Sequence, residues 1–118
     1  MKVNLNIKHK FANDCISFNT KGILDEKDNI LIYSEEKNTK VKFFLSENIL
    51  LRETDEMIME LNFINDKITT SKIYLKKLRQ EMFLKIKTLK IICEDNIYKI
   101  VYQIENDSPI EYQVQLIK

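Results

Sequence analysis

Alternation of apolar and polar residues runs through most of this chain and is the feature that most constrains its fold. The clearest run is near the C-terminal end, where Ile110, Tyr112, Val114 and Leu116 alternate with Glu111, Gln113 and Gln115. The same period of two recurs in residues 3–8, 16–20, 41–45, 57–63 and 98–104. Because successive side chains of a strand point to opposite faces, each run predicts a strand with one face on a core.

Short clusters of turn-forming residues separate these runs. They are Asn13–Asp14, Asp25–Asn29, Glu36–Asn38, Ser46–Asn48, Thr54–Glu56, Asn65–Asp66, Glu94–Asn96 and Asn106–Pro109. Most are about 8–13 residues apart, a spacing typical of a β-sandwich or barrel. The chain contains one Gly and one Pro. We therefore expect Asn and Asp to supply the left-handed turn conformations, which they tolerate better than other residues.

One segment, from Ser71 to Ile92, carries two competing patterns. A helical stripe runs through Leu75, Leu78, Met82, Ile86 and Leu89. From Met82 to Thr88, however, residues also alternate with a period of two. Helix and strand therefore both remain open for Leu75–Gln80, and a strand is predicted from Met82 onward.

Length and composition fit one domain over residues 1–118 of ordinary globular character. The net charge of +1 provides no overall attraction for anionic partners. No stretch is apolar enough to span a membrane, and the N-terminus lacks the apolar core of a signal peptide. We therefore expect a cytoplasmic protein. In that compartment Cys15 and Cys93 would be reduced thiols, with a Cys15–Cys93 disulfide the less favoured alternative.

Several classes of site lack the residues they need. His9 is the only histidine, so no His-rich metal site is expected. A single glycine excludes phosphate-binding and dinucleotide-binding glycine loops. An enzyme using His9 would need Cys15, Cys93 or a serine beside it, and no nucleophile motif supports such a pair. We predict no metal, no cofactor, no catalytic residue and no enzymatic activity.

The strongest candidate site centres on Arg52, which follows an apolar run. Strand alternation puts Leu50 and Arg52 on one face, and Leu31, Tyr33 and Glu35 on one face of another strand. If both faces turn inward, Arg52 and Glu35 meet in the interior or at the mouth, where a charge needs a partner. The pair could be structural, joined by a hydroxyl of Tyr33 or Tyr74. Alternatively Arg52 binds a carboxylate or phosphate, or it is a solvated edge residue.

A second candidate is the concentration of positive charge in residues 67–90. This segment has a net charge of +7 in a chain whose total is +1. Its one acid is Glu81, and its basic residues are Lys67, Lys72, Lys76, Lys77, Arg79, Lys85, Lys87 and Lys90. Lys76, Lys77, Arg79, Lys85 and Lys87 could bind RNA, with Tyr74 and Phe83 stacking on bases. The alternative is a solvated outer face on which lysines protect a strand edge.

A set of motifs in a fixed order covers the chain from about Lys2 to Ile117. They are Thr20-x-Gly22, Tyr33-x-Glu35, Arg52 after an apolar strand, Phe63, Tyr74 and Thr88. In this order the sequence resembles the YwiB-like family of small bacterial proteins of unknown function. It departs from that family at Thr54, where glycine is usual, and in the longer turn at 76–80. The resemblance carries no known catalytic residues.

The resemblance implies a single, all-β, calycin-like (lipocalin-related) antiparallel barrel of about nine or ten strands, with a hairpin over Leu75–Leu89. By analogy with that fold, we expect a non-enzymatic protein that binds a small apolar or anionic ligand in the barrel interior or at its mouth. The candidate ligand-binding residues are Arg52, Glu35, Tyr33 and Tyr74. The alternative is an RNA- or protein-interaction module that uses the basic 67–90 face. Either would act as a monomer or weak dimer.

Overall fold

The computed structural model describes residues 1–35 and 38–117, and most of these residues lie in ten strands. The strands are β1 (Lys2–Phe11), β2 (Asp14–Asp25), β3 (Ile30–Ser34), β4 (Lys40–Phe44), β5 (Ile49–Glu53), β6 (Met57–Asn62), β7 (Ile68–Leu75), β8 (Gln80–Glu94), β9 (Ile97–Ile104) and β10 (Ile110–Ile117). Each strand pairs antiparallel with the next, and β1 pairs with β10 to close a barrel. The all-β barrel predicted from the sequence is thus confirmed.

The ambiguous segment forms a hairpin. Strand β7 ends at Leu75 and β8 begins at Gln80, so residues 76–79 are a turn. Arg79 adopts a positive φ of 49° within this turn, and Leu78 is 65% exposed. Leu78 is therefore exposed to solvent, whereas a helix would have buried it. The hairpin implied by the family resemblance is confirmed.

Left-handed backbone conformations fall mainly on Asn and Asp, as predicted. Of the nine non-glycine residues with positive φ in the described part of the chain, six are Asn or Asp. Asp95 and Asn96 both have positive φ in the two-residue connection between β8 and β9, which is the pattern of a type I′ turn. Ala12, Arg79 and Glu105 are the exceptions. In the predicted Glu36–Asn38 turn, Glu36 and Lys37 lie outside the described residues.

Hydrophobic side chains from all parts of the barrel form a buried core in its interior. The inward residues are the ones that alternation selects on each strand, and fifteen hydrophobic residues are buried. They are Leu5, Ile7, Leu31, Tyr33, Val41, Phe43, Leu45, Leu50, Leu61, Phe63, Ile86, Ile100, Tyr102, Tyr112 and Val114. Small barrels commonly fill their interior in this way.

The single glycine of the chain, Gly22, occupies a position where a side chain would be too close to its neighbours. A Cβ built on Gly22 would lie 2.8 Å from the carbonyl oxygen of Ile32 and 2.9 Å from Cδ1 of Leu5. The first of these atoms belongs to the backbone of β3, so the contact cannot be relieved by a rotamer change. Gly22 thus permits the close approach of β2 and β3.

Both cysteines are free thiols on the surface. Cys15 lies on β2 beside Lys10, and Cys93 lies on β8 beside Tyr98. Among residues 1–35 and 38–117 there is no helix with the length and hydropathy to cross a bilayer. The same residues hold no cluster of three or more potential metal ligands.

Candidate ligand site at the barrel mouth

Arg52 and Glu35 meet inside one end of the barrel, as the strand faces predict. Arg52 is on β5, and its register opposite Val41 of β4 turns it inward. Glu35 directly follows β3, and its Oε1 lies 2.5 Å from Nη2 of Arg52. The side chains are only 19% and 8% exposed, respectively. Pairing offsets the large cost of taking each charge out of water.

Two tyrosines extend this ion pair across the lumen. The hydroxyl of Tyr112 on β10 donates to Oε2 of Glu35 at 2.9 Å, and it is also hydrogen-bonded to the hydroxyl of Tyr33. Each hydroxyl has only one proton. Since Tyr112 donates to Glu35, Tyr33 must donate to Tyr112. We call Tyr33, Glu35, Arg52 and Tyr112 the polar network, which joins β3 and β5 to β10 on the opposite wall.

Burial sets the protonation of the network. It raises the pKa of Tyr112 well above its usual value, and the neighbouring Tyr33 and Glu35 raise it further. Burial likewise raises the pKa of Tyr33. Both phenols therefore remain protonated donors at neutral pH. Burial alone would lower the pKa of Arg52, but the Glu35 carboxylate and nearby tyrosines outweigh it, so the pKa is raised and the guanidinium stays charged.

His9 on β1 packs against the network without joining the ion pair. Its ring makes edge-on contacts with Phe11 and Tyr112, with centroids 5.3 and 5.4 Å away. Burial, and then the charge of Arg52, lower the pKa of His9 to about 4. The imidazole is therefore neutral at pH 7 and brings no second cation to the site.

An open pocket of about 230 Å³ lies over the network at the barrel mouth. Its lining combines charged, hydroxyl and apolar side chains: His9, Ile16, Phe18, Glu35, Thr39, Arg52 and Thr54. Nε of Arg52 is buried and has no hydrogen-bond acceptor among the described residues. The guanidinium thus has donor capacity beyond its bond to Glu35, since it carries five N–H groups.

Tyr74 does not belong to this site, and its prediction as a ligand-binding residue is not supported by its position. The side chains of its neighbours Ile73 and Leu75 point into the barrel. These two residues pair with Met59 and Met57 of β6. Tyr74 therefore projects from the outer wall of the barrel, beside Ile58 and Glu81. The hydroxyl that completes the network comes instead from Tyr112. Alternation places Tyr112 inward, but local sequence gives no indication of its partner across the lumen.

The predicted basic residues of the 67–90 segment are divided between two places. Lys76, Lys77 and Arg79 lie in the β7–β8 turn, whereas Lys85 and Lys87 are on the outer wall of β8. At about 3.3 Å per strand residue, Arg79 and Lys85 are about 20 Å apart. Acids also interleave with the cations: Lys76 binds Glu53 at 2.8 Å and Lys72 lies 3.6 Å from Glu81. The positive charge of the 67–90 segment is therefore more dispersed on the folded protein than along the sequence.

Together these features define a closed, ten-stranded antiparallel barrel with a hydrophobic core and a polar mouth. The fold is similar to that in the crystal structure of the YwiB protein from Bacillus subtilis, with a TM-score of 0.66. The two chains are 21% identical over 99% of this chain and 92% of the other. This similarity shows a shared fold and confirms the barrel expected from the order of the motifs. No family model matches the sequence, and no curated protein matches it.

Proposed function

We propose that the protein is a non-enzymatic binding protein for a small anion, a molecule with a carboxylate or phosphate group that contacts Arg52 at the barrel mouth. The observation that carries this proposal is the position of Arg52 in the lining of an open pocket, where its partly exposed guanidinium has N–H groups beyond the one that binds Glu35. The planar guanidinium suits bidentate binding of such groups.

The size of the pocket restricts the ligand. Its volume of about 230 Å³ is below the range of about 300–1,000 Å³ usual for drug-sized ligands. Since one water takes up about 30 Å³ of liquid, the space corresponds to about eight waters. Ile16 and Phe18 offer an apolar wall, and Thr39 and Thr54 offer hydroxyls. A short-chain carboxylate or inorganic phosphate fits these dimensions, whereas a long apolar ligand would need the filled interior.

Glu35 acts in this proposal as an internal competitor for the guanidinium. Its carboxylate holds Arg52 through Nη2. An incoming anion binds the remaining N–H groups and lies near a carboxylate of the same sign. The affinity is therefore modest, and the site selects anions small enough to bind beside Glu35.

A titration followed by amide NMR tests the proposal, with inorganic phosphate, acetate and benzoate as probes. We expect saturable shifts of the amides of Ile16, Phe18, Thr39 and Thr54, with dissociation constants of about 1 mM. Arg52→Lys should weaken binding, because lysine offers a point charge in place of a planar fork. Lys8→Met, which removes a cation from the outer wall of β1, is the matched control. Shifts that never saturate, or that are equal in all variants, contradict the proposal.

The second candidate is an interaction module on the outer wall of β7 and β8. Phe83 is 62% exposed there and pairs with Lys72, and Ile68 is 65% exposed opposite Lys87. An exposed aromatic ring between lysines could stack on an RNA base. Binding of a fluorescent single-stranded RNA should then weaken steeply with salt and be reduced by Phe83→Ala. Absence of binding at low salt would remove this candidate.

A further inference from the structure

A concavity larger than the mouth pocket lies on the outer wall of the barrel. It has a volume of about 710 Å³ and runs across β1, β2, β3 and the start of β4. Six of its lining residues have side chains that point away from the barrel interior. They are Lys2, Lys21, Ile23, Ile32, Ser34 and Lys40. We call this concavity the outer groove. Neither the mouth site nor the 67–90 segment includes it.

The floor of the outer groove is apolar. Ile23 and Ile32 are direct partners across β2 and β3, and they are 53% and 44% exposed. The close approach of these strands at Gly22 brings backbone into the lining. Single exposed apolar residues are ordinary, but a paired set in a recess is the arrangement that accepts an apolar side chain.

Lysines border this floor. Lys2 lines the groove and pairs with Ile23. Two residues further along the strands lie Lys21 and Lys40. Among the described residues that line the groove none is acidic. The rim is therefore a local concentration of positive charge in a protein whose total charge is only +1.

We propose that the outer groove binds an acidic segment of a partner protein, with an apolar side chain on Ile23 and Ile32 and carboxylates at the surrounding lysines. Charge complementarity favours this occupant. A second copy of this chain, placed groove to groove, would bring its own lysines against these. A bilayer surface is flat or convex at this scale and would not enter a recess.

The closed barrel determines how such a segment binds. Because β1 pairs with β10, the sheet has no free edge to which a strand could be added. The segment therefore binds through its side chains rather than through a backbone ladder. Its contacts are the apolar side chain on the floor and ionic contacts at the rim, so its affinity falls as salt screens the rim.

Fluorescence anisotropy tests this proposal with a labelled probe peptide of about 12 residues in which Asp and Glu surround two leucines. Two comparison peptides replace either the leucines by serine or the acids by glutamine. The groove variant is Lys21→Gln/Lys40→Gln, and its matched control is Lys8→Gln/Lys10→Gln, which loses the same charge elsewhere on the outer wall. Ile32→Ser tests the floor separately.

The expected result is binding of the probe peptide that weakens about tenfold or more in the groove variant and in Ile32→Ser. The control variant should change the affinity less than about twofold, and both comparison peptides should bind more weakly. Equal losses in groove and control variants, or no binding up to about 1 mM peptide, overturn the proposal. It is also overturned if anionic vesicles bind with the same variant dependence, or if the groove variants abolish a dimer. None of these outcomes bears on Arg52 and the mouth site.

Discussion

At the scale of single residues, the polar network explains why a charged side chain follows the apolar run of β5. Arg52 lies inward and holds Glu35, which also accepts a hydrogen bond from Tyr112. The strand faces alone predict the Arg52–Glu35 pair. They do not predict that Tyr112 rather than Tyr74 completes it, because contacts across the lumen depend on how the strands tilt and close.

Removal of the Arg52 charge should destabilise the protein strongly. Arg52→Met leaves the carboxylate of Glu35 buried without its cation, and we expect a loss of about 3–5 kcal/mol in the free energy of unfolding. Urea denaturation of the variant measures this loss. Lys99→Met, which breaks the more exposed pair with Glu111, is the control and should cost about 1 kcal/mol or less. Similar small losses in both variants would contradict a buried, mutually dependent pair.

His9 should make stability depend on pH on the acid side. Its pKa is about 4 in the folded protein, against 6.5 for an ordinary histidine. Below pH 6.5 the unfolded chain binds a proton that the folded protein does not, so stability falls as the pH decreases from 6.5 to about 4. Below that range the loss is complete and the His9 contribution becomes constant.

Since His9 is the only histidine, its NMR titration reports the pKa directly, and a value near 6.5 would contradict its burial against the network. His9→Gln should flatten this part of the profile.

At the scale of elements, the strands are largely predictable because one face of each is buried, which imposes a period of two. The β7–β8 turn is the instructive exception. Lys76, Lys77, Leu78 and Arg79 contain none of the usual turn residues, and Leu78 falls on a helical stripe. The structure forms the hairpin because β7 and β8 pair over eight residues, and this pairing outweighs the unfavourable φ of Arg79.

The close approach of β2 and β3 leads to a prediction at Gly22. Gly22→Ala places a methyl group against the backbone oxygen of Ile32. We expect a loss of about 1–3 kcal/mol in the free energy of unfolding, as for other overpacked positions. Thermal and urea unfolding both measure it. An unchanged stability would show that β2 and β3 separate without cost at this point.

The reverse substitution, Ala12→Gly, should stabilise the protein. This residue has a φ of 49° in the turn between β1 and β2, and its side chain is exposed. Ala12→Gly removes the Cβ that makes this conformation unfavourable, and we expect a gain of about 0.5–1 kcal/mol. The urea midpoint should rise with an unchanged slope. A decrease would mean that the added freedom of glycine in the unfolded chain dominates.

At the scale of the whole molecule, the hydrophobic core of the barrel and the distribution of its charges together restrict what it can bind. The core occupies the interior from Leu5 to Tyr112, and the pocket proposed to bind an anion lies at the mouth. The fold also concentrates positive charge at a place that the sequence does not indicate. The 67–90 segment is the most basic part of the sequence, but the lysines at the rim of the outer groove come from β1, β2 and β4. Local sequence could not predict that rim, because it forms only when distant strands pair.

Under the proposed function, Glu35 and an exogenous anion share the guanidinium of Arg52. Calorimetric titration of benzoate or phosphate into Glu35→Gln and Arg52→Lys tests it most directly, because the two variants should change the affinity in opposite directions. Glu35→Gln retains a hydrogen-bond acceptor but removes the competing charge, so binding should tighten by about tenfold, whereas Arg52→Lys should weaken it by a similar factor. No anion binding in the wild type and in Glu35→Gln, with both proteins folded, would contradict the claim and leave the network a purely structural brace.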